Sequence, residues 1–231
     1  MRPGVAHVVT EETTFMKAIA HELTAPATWR AGLAEVVGTF FLALAALISG
    51  GPYAVALTLA IMVYILGRVS GANLNPAVTV GLVVARHLSV LRGALYIVAD
   101  TLGALLARLL AQYVTPLPLH FTAANGAGEL LGIGFLILAV LGVTGGYVPQ
   151  AASGLTIGGG LLAGLLTSKG ILNPAIAFAM GQATSAPWAL WAPLAGALLF
   201  AAIFRAVASF QVAAPVGQGT EATPQRVDSA A

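Results

Sequence analysis

Two of the four asparagines in this chain of 231 residues stand in one repeated tripeptide, Asn75-Pro76-Ala77 and Asn173-Pro174-Ala175. Asparagine is a favoured helix N-cap and proline is favoured at the first helical position, so each tripeptide reads as the start of a helix. A helix start offers unpaired backbone N–H groups and a dipole end worth about half a positive charge. Amide side chains held beside two such ends can donate hydrogen bonds to water or an alcohol oxygen while repelling a cation. That is the chemistry of recognition rather than of bond breaking. Glu35, Asp100 and Glu129 are the other candidates, because each lies within a strongly apolar stretch. An ionisable group there is costly unless partnered, and so is a functional candidate by default. No cysteine is present, which excludes disulfides, thiolate metal sites and cysteine nucleophiles. His7, His21, His87 and His120 are scattered without metal-ligand spacing, so no metal and no cofactor is expected. A net charge of +2 without a basic run gives no reason to expect a nucleic-acid partner.

The elements that must position these residues follow from composition. The chain is 58% hydrophobic and only 8% charged, with a mean hydropathy of +0.92. Soluble domains carry about 25% charged residues. Too little polar material remains to coat a water-facing surface, so the solvent for most of the chain is the lipid bilayer. A hydrocarbon core about 30 Å thick needs roughly 20 apolar residues per helical crossing. Six stretches qualify: 31–49, 54–69, 91–114, 128–147, 151–167 and 188–207. The apolar stretches after Asn75 and Asn173 are too short. From Pro76 to Val84 a helix covers only about 14 Å, half a membrane. The residues before each tripeptide, Ser70 to Leu74 and Ser168 to Leu172, read as loop. Loop at membrane depth cannot face lipid, so its polar backbone must face protein or a water-filled cavity.

The chain repeats itself. Glu35-Val-Val-Gly38-Thr-Phe-Phe-Leu42 recurs as Glu129-Leu-Leu-Gly132-Ile-Gly-Phe-Leu136, and Gly103-Ala-Leu-Leu106 recurs as Gly196-Ala-Leu-Leu199. With the Asn-Pro-Ala pair, the offsets are 94 (129 − 35), 98 (173 − 75) and 93 (196 − 103). Three crossings per half is an odd number, so the second copy enters from the opposite side, an inverted repeat with function at the midplane. Both helix starts then meet near the centre. Glu35 and Glu129 at equivalent places argue for one shared task, accepting hydrogen bonds from the loop ahead of each short helix. The pattern defines a channel domain over 31–208, with repeats at about 31–114 and 128–208. Residues 1–30 form a leader in which Phe15, Met16, Ile19 and Leu23 share a helical face suited to a membrane surface. A partly ordered polar leader is the competing reading. Residues 209–231 read as a disordered tail. Arg30, Arg86, Arg92 and Arg205 fall on one side when six helices are threaded in order, which places both termini in the cytoplasm of a cell-membrane protein.

The residues Ala34-Glu-Val-Val-Gly-Thr-Phe40, Ser70-Gly-Ala-Asn-Leu-Asn-Pro-Ala-Val-Thr79, Tyr96-Ile-Val-Ala-Asp-Thr-Leu-Gly-Ala104 and the second Asn-Pro-Ala resemble the major intrinsic protein family of aquaporins and aquaglyceroporins, from about residue 30 to 208. The resemblance implies an all-α membrane fold of six tilted helices and two re-entrant half-helices touching at the Asn-Pro-Ala pair. It also implies a pore in each subunit and a homotetramer. Asp100 stands where the family commonly has Gln, and either faces the pore or pairs at a helix interface. The four family positions that line a constriction on the outer side carry over to Val55, Leu161, Gly170 and Ile176, all apolar or small. The usual arginine after the second motif is absent, and Ile176 takes its place. Such a filter resembles the divergent, small-intrinsic type of member and is expected to be wide and without fixed charge. Lys169 either supplies charge nearby or is a solvated loop lysine. The resulting expectation is a passive channel, not an enzyme, for water or small neutral solutes, with cations and protons excluded at the Asn-Pro-Ala pair. An ion-coupled secondary transporter is the alternative, since broken helices in inverted repeats serve that purpose too.

Overall fold

The structure is a computed structural model that describes residues 16, 17, 19–49, 51–115 and 125–209. Phe15, most of the leader and all but the first residue of the expected tail lie outside the described residues. Helices α1 (Pro26–Ser49), α2 (Pro52–Leu66), α4 (Val90–Val114), α5 (Gly126–Thr144), α6 (Ser153–Ser168) and α9 (Trp188–Ser209) are the long elements. Between them stand the short helices α3 (Pro76–Val84), α7 (Pro174–Ala179) and α8 (Gln182–Ser185). No strand occurs among the described residues. Both short helices predicted from the tripeptides are present, each with proline at its first position.

Four of the long helices, and α6 together with the 3-10 turn Gln150–Ala152 that leads into it, have the length and apolar character to cross a membrane. The exception is α2, whose 15 residues cover about 22 Å. Its turn pattern nevertheless continues, with Gly67 N–H bonded to Val63 O and Ser70 N–H to Leu66 O, so the backbone stays internally satisfied to the loop. One boundary differs from the expectation, and one that the sequence left open is now set. Helix α1 starts at Pro26 rather than residue 31, because proline suits a first helical turn and Trp29 Nε1 donates to Leu23 O just ahead of it. Helix α7 ends at Ala179, where Gly181 takes a left-handed φ of 79° that stops the turn.

The long helices pair as the repeat requires: α1 with α4 in the first half and α5 with α9 in the second, while α2 packs on α6 across the halves. Small residues set these contacts. A methyl group added at Gly103 on α4 would lie 3.0 Å from Phe40 N and 3.2 Å from Thr39 Cβ on α1. Its counterpart Gly196 on α9 lies against the Leu130 backbone of α5, and Gly158 on α6 against Ala56 and Ala60 of α2. With lipid as solvent there is little hydrophobic drive between helices, so close backbone approach supplies the packing energy. The half-helices are exchanged between halves. Helix α3 packs against α4 of its own half and α9 of the other, and α7 does the same with α9 and α4.

Gly103→Val and Gly196→Val should each destabilise the fold by roughly 1–3 kcal/mol or more through overpacking. Gly159→Ala, where an added methyl meets nothing within 4 Å, should be neutral or slightly stabilising. Thermal unfolding in mild detergent distinguishes the three; equal melting temperatures would mean that these glycines do not set the helix contacts.

Candidate functional site

The loops before the two half-helices are built alike. Glu35 Oε1 and Oε2 on α1 accept hydrogen bonds from Asn73 N–H at 3.1 Å and Leu74 N–H at 2.7 Å. Glu129 on α5 accepts from Ile171 N–H and Leu172 N–H, each at 2.8 Å. Both carboxyls are fully buried. Bonded to two N–H groups, each gains the charge-assisted partners that make its burial tolerable. Leu74 and Leu172 adopt left-handed backbone, φ 52° and 57°. Such conformations are strained for leucine and persist only where surrounding contacts hold them.

Each asparagine then does two things. Its Oδ1 caps its own half-helix, Asn75 accepting from Ala77 N–H at 2.8 Å and Asn173 from Ala175 N–H at 3.1 Å. Its Nδ2 crosses to the other half: Asn75 donates to Leu172 O at 2.8 Å, and Asn173 to Leu74 O at 2.9 Å. A side-chain amide carries two N–H donors, so one on each asparagine remains after the crossing bond. Ala77 and Ala175 are both buried, and the two half-helices that they open are in contact.

Asn75 and Asn173 line a narrow cavity together with Val55, Leu161 and Ile176. The cavity offers the centre of a water-sized sphere about 10 Å³, and a single water requires about 10–15 Å³ by that measure. Branched apolar side chains stand around this cavity where the missing arginine would have brought a fixed charge. Gly170 is not among the residues lining the cavity, and the adjacent Ile171 is. A Cβ on Gly170 would lie 2.9 Å from the Glu129 carboxyl, so this position is needed for close approach to Glu129. Four further lining residues were not among the expected pore residues: Leu42, Leu59, Leu136 and Asn73. A signal for two of them was present. Leu42 and Leu136 each fall seven positions after a repeated glutamate (42 − 35, 136 − 129), two helical turns along the same face.

Asn73 also lines a second, larger cavity of about 290 Å³ that includes Ser70, Gly71, His87 and Gln150. It bridges the two spaces, with its Nδ2 donating to Thr79 Oγ1 at 3.1 Å. Asp100 faces neither space. It is fully buried on α4, and its Oδ1 accepts from Thr39 Oγ1 at 2.9 Å, one turn beyond Glu35 on α1. Of the two readings open in sequence, the helix interface is the one observed. Lys169 ends α6 in left-handed backbone with an exposed side chain. Among the described residues no cluster of His, Cys, Asp or Glu could hold a metal.

The family profile described as Major intrinsic protein matches residues 22–204. The chain belongs to the major intrinsic protein family. It is a multi-pass membrane channel protein for water or small neutral solutes, and not an enzyme. Among family members, it is 31% identical to the probable aquaporin TIP3-2 of Oryza sativa subsp. japonica, covering 95% of this chain and 97% of the relative. It is 34% identical to the probable aquaporin TIP4-1 of the same organism, covering 78% and 79%. These are TIP-type relatives, not the small-intrinsic type that the filter residues resemble. The fold matches the X-ray structure of the aquaglyceroporin from Plasmodium falciparum with a TM-score of 0.61 at 22% identity, over 78% of this chain and 97% of that one.

Glu35→Gln and Glu129→Gln should each cost about 1–3 kcal/mol, because the amide leaves one buried loop N–H facing another donor. The loss should appear as a lower melting temperature and reduced folded yield in detergent. Wild-type stability in both variants would show that the carboxyls do not hold the loops.

Proposed function

We propose that water or a compact neutral solute passes in single file between Asn75 and Asn173, through a constriction lined by Val55, Leu161 and Ile176. The observation that carries this reading is the pair of asparagines lining one cavity, each with an unused N–H. Pro76, Ala77, Pro174 and Ala175 shape the two helix starts, and Gly170 acts indirectly by letting Glu129 reach its loop. Two helix N-termini meeting there repel a cation, and the apolar walls return none of the hydration it would lose. The same fields break the orientation of a proton-carrying water chain. A solute that bonds weakly to water crosses such walls most readily.

Ion coupling is disfavoured by where the carboxyls are. Glu35 and Glu129 are engaged with loop N–H groups and Asp100 with Thr39, and none of the three lines the cavity. Both termini in the cytoplasm of a cell membrane agree with Arg205 reaching Val84 O, which puts Arg205 and Arg86 on one side. A homotetramer fits an apolar groove of about 390 Å³ between α1 and α2, with exposed Phe41, Ile48 and Ile61 along it. The domain organisation proposed with this is a leader over 1–30, a channel over 31–208 and a tail over 209–231.

Stopped-flow swelling of proteoliposomes should give osmotic flux with a low activation energy that survives collapse of ion gradients. Flux abolished by an ionophore would overturn the channel reading. Ile176→Arg adds up to five donors and a fixed charge to the constriction. The ratio of glycerol or urea flux to water flux should fall several-fold, since the larger solutes lose room first. An unchanged ratio in a folded variant would remove Ile176 from the constriction.

A further inference from the structure

The half-helices carry a second symmetric pair of contacts, at the ends away from the asparagines. The carbonyl of Val84, last residue of α3, accepts a hydrogen bond from Arg205 Nη1 on α9 at 3.0 Å. The carbonyl of Ala179, last residue of α7, accepts one from Arg108 Nη1 on α4. Arg205 follows Arg108 by 97 positions (205 − 108), within the 93 to 98 spread of the repeat. Each arginine therefore sits on the last long helix of one half and reaches the half-helix of the other.

The final carbonyls of a helix lack partners and carry about half a negative charge. At an ordinary surface helix, an arginine there is a routine cap. Here α3 lines the larger cavity through Val78 and Leu82, and α7 the narrow one through Ile176. The end of α3 adjoins the larger cavity, which Leu82, His87 and Leu88 help to line. Left bare, that negative end would gather cations at the mouth of a path that its positive end is meant to close to them. A guanidinium converts the end from about half a negative charge to about half a positive one. Arg92 spends its charge on Glu22 at 3.6 Å. Among the described residues no carboxylate pairs with Arg108 or Arg205 in this way. The constriction itself holds Ile176 and no fixed cation.

We infer that Arg108 and Arg205 are specificity-determining residues, whose charges at the outer ends of the two half-helices raise the barrier to cations in a channel whose filter has none. The inference rests on the channel reading above. It assigns cation exclusion to two places: the helix starts at the centre and the capped ends at the mouths.

The test compares Arg108→Gln, Arg205→Gln, the double variant and Arg108→Lys/Arg205→Lys in proteoliposomes, measuring osmotic water flux and potassium leak from the same preparation. Over the length of a half-helix, loss of one unit charge should raise the leak-to-water ratio about fivefold to tenfold. The double Gln variant should exceed either single variant, and the Lys pair should stay near wild type because it keeps the charge. A double Gln variant that conducts water with an unchanged ratio overturns the inference and leaves the channel reading intact. Lys variants as leaky as Gln variants also overturn it, because geometry rather than charge would then be responsible. If the double Gln variant does not fold, the exposed Arg205→Gln alone decides by the same ratio. Wild-type protein that passes no water overturns both readings.

Discussion

The site depends on two peptide units, those flanking Leu74 and Leu172. Each leucine gives its N–H to a glutamate of its own half and its carbonyl to an asparagine of the other. At membrane depth neither group has water to fall back on, so an unmade bond costs the full desolvation of that group. Together the four bonds fix the height of both loops, and with them the places of the two helix starts. Because the leucines are held in left-handed backbone, the loops turn sharply enough for the half-helices to begin just where the loops meet. Removing either glutamate or either asparagine affects both halves, since each loop is anchored from both sides.

Charge is placed with equal economy. Among the described residues three carboxyls are buried in the bundle, and each has a hydrogen-bond partner other than the solute. The amides that do face the narrow cavity are neutral. Neutral donors backed by helix dipoles can exchange one water for the next without trapping it, whereas a buried carboxylate would bind cations tightly. An apolar wall on the remaining sides limits how many hydrogen bonds a passing molecule can keep, so selection acts through what a solute must give up.

Much of this was legible in the sequence because it is written in local signals. Asn followed by Pro marks a helix start wherever it occurs, and the length of the apolar run after it marks a half-crossing. The repeated Glu with a following Leu at seven positions marks a helix face, although only the Glu stood out as unusual in an apolar chain. What sequence did not carry was shape. Leu42, Leu136 and Ile171 converge on the cavity from two different helices and a loop. No spacing rule contains that convergence. Counting from Asn173 selected Gly170 rather than Ile171, since a count along the chain cannot tell which of two neighbours turns inward at a loop. Asp100 resisted assignment for a related reason: its partner Thr39 lies 61 residues away.

The crossing bonds also tie the site to the order of synthesis. Leu74 leaves the ribosome 99 residues before Asn173, whose amide its carbonyl needs. At about 5–20 residues per second, that interval lasts roughly 5–20 seconds. Throughout it the first loop sits beside or within the membrane with a carbonyl that only water, lipid headgroups or the insertion machinery can satisfy. The first half cannot close on itself, and its re-entrant segment settles only when the second half arrives to receive it. The midplane of this protein thus waits for residues from both halves of the chain.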